Sequence, residues 1–151
     1  RSRYMSKSII FGLIVSATAV LFLSGCGASG QQFSQFATPQ PDKGLVYVYR
    51  PSSLLGAGVY YDIHVTNPSN PNLIAGELVN GSYLKIDVPV GESEVWGQTE
   101  SKASVTLDIK NGETYCVKGG VGIGFIVGRP NLDIVDMNTC KTEIAETKQN
   151  N

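Results

Sequence analysis

Few residues in this chain are of types that do covalent or acid–base chemistry. His64 is the only histidine, and there are three cysteines, Cys26, Cys116 and Cys140. Asp62 precedes His64 by two positions, so a carboxylate could orient the imidazole for attack by a serine. Residues two apart on a strand only share a face, however, and no G-x-S-x-G sequence supplies the nucleophile. His64 therefore reads as a surface histidine, and no catalytic residues are assigned. Zinc needs three or four clustered ligands. Cys116, Cys140 and His64 lie far apart without paired spacing, and the scattered carboxylates form no calcium-loop pattern. No metal site and no dissociable cofactor is expected. Gly119 to Gly128 is glycine-rich, but a dinucleotide loop needs a preceding strand, a following helix and a later acid. Here strands flank it on both sides, Pro130 follows, and no P-loop lysine is present.

Cys26 stands apart from the other two. Arg1, Arg3 and Lys7 precede a nearly uncharged apolar run, Ile9 to Leu23, which ends in Leu23-Ser24-Gly25-Cys26. Fifteen residues are short for a bilayer span. A basic start, an apolar stretch and small residues are the order of a secretory signal, with Met5 as a candidate start. The Leu-Ser-Gly-Cys ending resembles the bacterial lipobox. That resemblance implies a signal peptide over 1–25, cleavage before Cys26, and acyl and diacylglyceryl lipid on Cys26 as the only attached group. Two or more acyl chains anchor stably, at about 0.8 kcal/mol per buried CH₂. Gly27 after the cysteine implies, by the same resemblance, the outer membrane of a Gram-negative envelope, facing the periplasm. The alternatives are a transmembrane anchor or a cleaved signal beside a chance cysteine.

Removal of residues 1–25 takes three of the 12 basic residues, leaving nine against 13 acidic ones and a net charge near −4. Such a domain is a poor ligand for nucleic acid or anionic lipid. With Cys26 acylated, an even pair remains, and an oxidising compartment suits a Cys116–Cys140 bridge. Two independent thiols are the alternative.

The elements that must position these residues are strands. Residues 26–43, with Gly, Ser, Gln and two prolines, read as a flexible tether. From Gly44 the pattern turns to period two. Leu45, Tyr47 and Tyr49 alternate with Val46, Val48 and Arg50. Similar sets follow at Val59–Val65, Tyr83–Val88, Ala103–Ile109, Tyr115–Val117, Val121–Val127 and Leu132–Ile134. Asn80-Gly81 and Asn111-Gly112 are hairpin dipeptides of the type I′ kind, Thr66–Asn72 is a longer loop, and Pro89-Val90-Gly91-Glu92 is a turn. Seven to nine short strands predict a single all-β, antiparallel β-sandwich over 44–138. The tail, 139–151, has room for one short helix.

From Gly44 to Asp136 the chain resembles a family of bacterial envelope lipoproteins catalogued as domain of unknown function 2846. The segments that carry the likeness are Gly44–Pro51, Asn80–Tyr83, Val88–Gly91, Gly119–Val121 and Gly128–Pro130. The segment Gly81–Trp96 also resembles the PEGA-type surface module, with Pro-Val-Gly where that module has Pro-Pro-Gly. Both resemblances imply a β-sandwich, and neither implies an activity.

The candidate contact residues are Trp96, on the side of Glu94 and Gln98, and Gly120, Gly122 and Gly124. These glycines form one bare strand face that another backbone, a partner or a sugar ring can approach. Arg50 and Arg129 each precede a proline, as strand stoppers or as partners of Asp42, Asp133 or Asp136. The expected function is that of a lipid-anchored, non-catalytic binding or assembly module of the envelope. Its partners would be the membrane, through the anchor, and an envelope protein. The alternative is a glycan or peptidoglycan-binding module.

Overall fold

The structure is a computed structural model, and residues 28–151 are described. The expected signal peptide and the lipid acceptor Cys26 lie outside the described residues. The chain order is β1 (Lys43–Tyr49), β2 (Tyr61–Asn67), β3 (Asn70–Leu78), β4 (Ser82–Pro89), β5 (Gly91–Gln98), β6 (Lys102–Ile109), β7 (Thr114–Gly122), β8 (Arg129–Val135), α1 (Met137–Ile144) and β9 (Lys148–Gln149). A five-stranded sheet, β8-β7-β1-β4-β9, faces a four-stranded sheet, β3-β2-β5-β6. This is the all-β sandwich that the alternation predicts. Its pairs are antiparallel except β1–β7 and β4–β9, which are parallel.

Alternation explains the inner core. Val46 and Val48, Ile63 and Val65, and Leu84 and Ile86 are inward positions of β1, β2 and β4, and they pack between the sheets. β1 departs from simple alternation, because Leu45, Tyr47 and Tyr49 on its other face are buried as well. They lie beneath a second apolar layer formed with Phe33, Tyr83, Cys116, Cys140 and Ile144. A strand covered on both faces reads as a continuous apolar run, and such a place suits a parallel pair like β1–β7.

That second layer corrects two expected boundaries. The segment read as a flexible tether is packed from Gly30 onward. Phe33 is buried and meets Tyr47, Tyr83 and Phe36 edge-to-face, with ring centroids 5.0–5.9 Å apart. The Phe33 amide donates to Thr147 O, and the Ala37 amide donates to the Tyr47 hydroxyl. The C-terminal tail is equally integral. α1 begins at Met137, capped by Asp136, whose carboxylate accepts from the Thr139 amide, and β9 extends the five-stranded sheet. The expected disulfide between Cys116 and Cys140 is present and ties β7 to α1 across 24 positions.

The two Asn-Gly dipeptides mark turns, but not hairpins. Each joins strands of opposite sheets, β3 to β4 and β6 to β7. Only Gly81 and Gly112 have positive φ, 70° and 77°, whereas a type I′ turn requires it at both central residues. The Pro89-Val90-Gly91 turn likewise crosses between sheets. The expected long loop at Thr66–Asn72 is instead a tight turn. It leads into β3, a strand whose Asn, Pro and Gly content hid its pattern.

Candidate functional site

The bare-faced strand expected at Gly120, Gly122 and Gly124 stops early. β7 ends at Gly122, and Ile123–Gly128 form a loop before β8. Gly120 faces the Asn131 side chain on β8, and Gly124 sits against the Glu100 carboxylate. A close approach also falls on Gly119. A Cβ there would stand 2.5 Å from Leu78 Cδ2 and 3.2 Å from the Tyr61 hydroxyl. Gly120 and Gly124 therefore serve contacts within the chain, and Gly122 alone of the three has open space beside it.

The lost alternation produces a different feature. The β1–β2 loop, 50–60, and the β7–β8 loop leave the same end of the sandwich. They expose seven large apolar or aromatic side chains: Leu54 (99%), Leu55 (58%), Tyr60 (60%), Ile123 (84%), Phe125 (91%), Ile126 (88%) and Val127 (52%). Leu55, Ile123, Ile126 and Val127 line one shallow cleft together with Gly56, which places the two loops side by side.

This display is held from within. Glu100, on the β5–β6 turn, accepts the backbone amides of Phe125 and Ile126, both at 2.8 Å. The Ile126 amide, followed by those of Phe125 and Val127, holds the Glu100 carboxyl below the usual carboxylate range. Thr99 Oγ1 donates to Gly128 O at 2.5 Å. Arg129 lies 3.6 Å from Glu100 and over the Phe125 ring, 5.2 Å from its centroid. Arg50 does the same work in the other loop. It is buried and donates to Val59 O at 2.6 Å and to Gly56 O at 2.7 Å. Neither arginine pairs with Asp42, Asp133 or Asp136 as expected. Arg50 binds loop carbonyls, and Arg129 binds Glu100.

Trp96 is on the outer face of the four-stranded sheet, on the side the alternation gives it, but it is half-buried. In cross-strand register it is flanked by His64 on β2 and Ser104 on β6. The His64 ring stacks on it, 4.1 Å away at 11°, and Lys102 Nζ lies 4.8 Å from its centroid. Its Nε1 donates to Thr66 Oγ1 at 3.2 Å. Lys102 also pairs with Glu94 at 2.7 Å, which lowers the Glu94 carboxyl. The indole is thus fixed among its strand neighbours, with Ile74 (57% exposed) beyond His64.

His64 Nδ1 has no hydrogen-bond partner, so Asp62 does not orient it. Among the described residues no group of three or more histidine, cysteine or carboxylate side chains could hold a metal ion. The loop end was missed from sequence because its residues alternate like a strand. The signal available was the triple interruption by Gly122, Gly124 and Gly128. No family model, curated protein or solved structure matches this chain.

Proposed function

We propose that the protein is a lipid-anchored lipoprotein of a bacterial envelope, acylated at Cys26, whose β-sandwich is a non-catalytic binding or assembly module. The observation that carries this reading is the loop end. Exposed large apolar side chains on two adjacent loops, four of them lining one cleft, form a patch of the kind that marks an interaction surface. The Leu23-Ser24-Gly25-Cys26 sequence supplies the anchor, and the outer membrane facing the periplasm is the assigned location.

The glycan-binding alternative rests on Trp96, and the geometry favours it less. A sugar ring stacks on a free aromatic face, and the Trp96 indole already has His64 stacked on it and Lys102 above it.

The test uses the full chain in living Gram-negative cells, with a photo-reactive residue at Ile126, at Trp96, or at Lys110 as a control. Labelled palmitate incorporated at Cys26, and adducts from position 126 that are absent from position 110, are the expected result. Absence of label, or equal adducts at both positions, refutes the reading. Retention on sacculi that is lost in Trp96→Ala would transfer the function to the glycan reading.

A further inference from the structure

We propose that the chain pairs with a second copy of itself along β6, edge to edge and antiparallel, so that two four-stranded sheets join into one. This goes beyond the binding reading above and stands whether or not Cys26 is acylated.

Three observations carry the inference. The first is that β6 is the open edge of the sandwich. A strand edge offers unpaired amides and carbonyls to another strand, and folded proteins shorten, interrupt or cover such edges. β9 has only two residues. β8 carries Pro130. β3 carries Pro71 and register shifts, and the Asn150 and Asn151 side chains donate to its Glu77 and Ala75 carbonyls. β6 has eight residues, neither proline nor glycine, and an unbroken register with β5.

The second is the direction of its free groups. The Tyr115 hydroxyl accepts from the Lys110 amide and donates to Asp108 O, on the side of β6 away from β5. Backbone groups alternate in direction along a strand, so Ser104 and Thr106 turn theirs the same way as Asp108. Among the described residues, no hydrogen bond reaches the Ser104 or Thr106 backbone on that side. Ala103 and Val105 face the core but are only partly buried. Ile134, on β8 beside them in the other sheet, is 55% exposed. The seam along β6 is therefore open.

The third is self-complementarity. With Val105 placed opposite Val105 of a second copy, Ser104 meets Thr106, Ala103 meets Leu107 and Lys102 meets Asp108. Each of these last three pairs occurs twice, as a two-fold interface requires. Ser104 and Thr106 then exchange both backbone bonds. In the single chain Asp108 stands opposite Glu92, and like charges directly opposite are unfavourable. Neither is in an ion pair among the described residues. Lys102 of the second copy supplies the cation, while keeping Glu94 as its neighbour on its own sheet.

A two-fold axis between antiparallel strands stands perpendicular to their sheet. Both copies therefore turn the outer face of the five-stranded sheet to the same side. Phe33 and Phe36 pack on that face, so both N-terminal segments lie on one side of the pair, and one bilayer can hold both anchors.

The experiment measures the mass of the full chain in mild detergent by sedimentation, from about 1 µM to about 1 mM, with three variants. Thr106→Pro removes an outward N–H and leaves the β5 ladder whole, as proline does on an edge strand. Lys102→Asp and Asp108→Lys each set like charges opposite one another. The expected result is a parent dimer, no dimer of Thr106→Pro although circular dichroism shows it folded, and dimers roughly tenfold weaker for either charge variant. An equimolar mixture of the two charge variants should dimerise like the parent, because each charge then meets its opposite. Val105→Cys should bridge two copies at position 105 under mild oxidation, because residues of a non-hydrogen-bonded pair stand about 4.5 Å apart, and mass spectrometry locates the bridge. A parent that stays monomeric throughout the series overturns the pairing. A dimer that survives in Thr106→Pro, or charge variants that associate no better mixed than alone, overturns it in favour of another interface. If Thr106→Pro does not fold, the mixture and the bridge at position 105 decide.

Discussion

Breaking the Cys116–Cys140 bridge should cost the fold about 3.5 kcal/mol. The bond joins positions 24 apart. Closing a loop of that length removes about 12 cal/mol/K of chain entropy from the unfolded state, or about 3.5 kcal/mol at 25 °C. Unfolding the 124 described residues carries about 260 cal/mol/K near the melting temperature, so Tm should fall by about 13 °C. The assay is a thermal melt of the full chain in mild detergent, followed by near-ultraviolet circular dichroism. It compares the oxidised chain, the chain unfolded and refolded in reductant, and the Cys116→Ala/Cys140→Ala variant. Both cysteines are buried, at 1% and 0% exposure, so reductant added to the folded chain should act only as fast as the protein opens. A Tm loss below about 4 °C, equivalent to about 1 kcal/mol, would refute the loop-closure reasoning. A loss well above 13 °C with α1 detached would mean that the bond chiefly holds the helix on the sheet.

Three further outcomes are expected. Gly119→Ala drives a Cβ against Leu78 and Tyr61 and should destabilise by about 1–3 kcal/mol; Gly122→Ala, whose Cβ would meet only Arg129 O at 3.8 Å, should melt like the parent chain. Phe33→Ala removes a ring packed on Tyr47 and Tyr83 and should cost about 3 kcal/mol. It should also open residues 30–37 to limited proteolysis before the rest of the domain; a segment cleaved equally fast in the parent would mean that it was never docked. Burial pushes the Tyr61 hydroxyl up from 10.0 to about 12. Between those values the folded chain holds a proton that the unfolded chain has lost, so stability is full below pH 10 and falls as pH rises toward 12. The difference in phenolate absorbance between the parent and Tyr61→Phe should therefore rise together with loss of near-ultraviolet dichroism, and a difference that rises well before unfolding would contradict this.

Legibility followed how local the decisive contacts are. The inward faces of β2, β4 and β6 were readable because one face of each meets a core and the other meets water, the condition under which period two is clean. β1 was readable as a strand, but its second buried face was not. The cover it finds comes from Phe33, Ile144 and the disulfide, all distant in sequence. Phe33 and Phe36 were masked by the Gln, Ser and Pro around them, so a docked segment read as a spacer. β3 carries Asn70, Pro71, Asn72 and Gly76, which suit a turn. It is a strand because β2 offers it a partner from Tyr61 to Asn67, with register shifts on the way. At the site, the sequence placed Trp96 on the correct side but could not show His64 stacked on it, because the β2–β5 register sets that contact. The glycine face failed for a related reason. Continued alternation through Val127 requires a strand partner beyond Gly122, and Glu100 captures the loop amides instead.

The same capture explains how so apolar a loop end can exist on a folded domain. Left alone, Ile123, Phe125, Ile126 and Val127 would gain by turning inward, at roughly 1.5–3 kcal/mol for each side chain fully buried. The inner side of the loop is already occupied. Glu100 fills the space beside Gly124, where even a Cβ would collide with the carboxylate, and Thr99 holds Gly128 O. Gly128 turns the chain back at φ 117°, a conformation that side-chain-bearing residues rarely adopt. In the partner loop, Gly56 packs on Val121 while the buried Arg50 gathers its carbonyls. Each polar contact spends inward space that an apolar side chain would otherwise take. The exposure is therefore built into the fold rather than left over from poor packing. A loop end whose captured amides face inward and whose large apolar side chains face out is stable in water only at a cost, and that cost is recovered when the end meets an apolar surface.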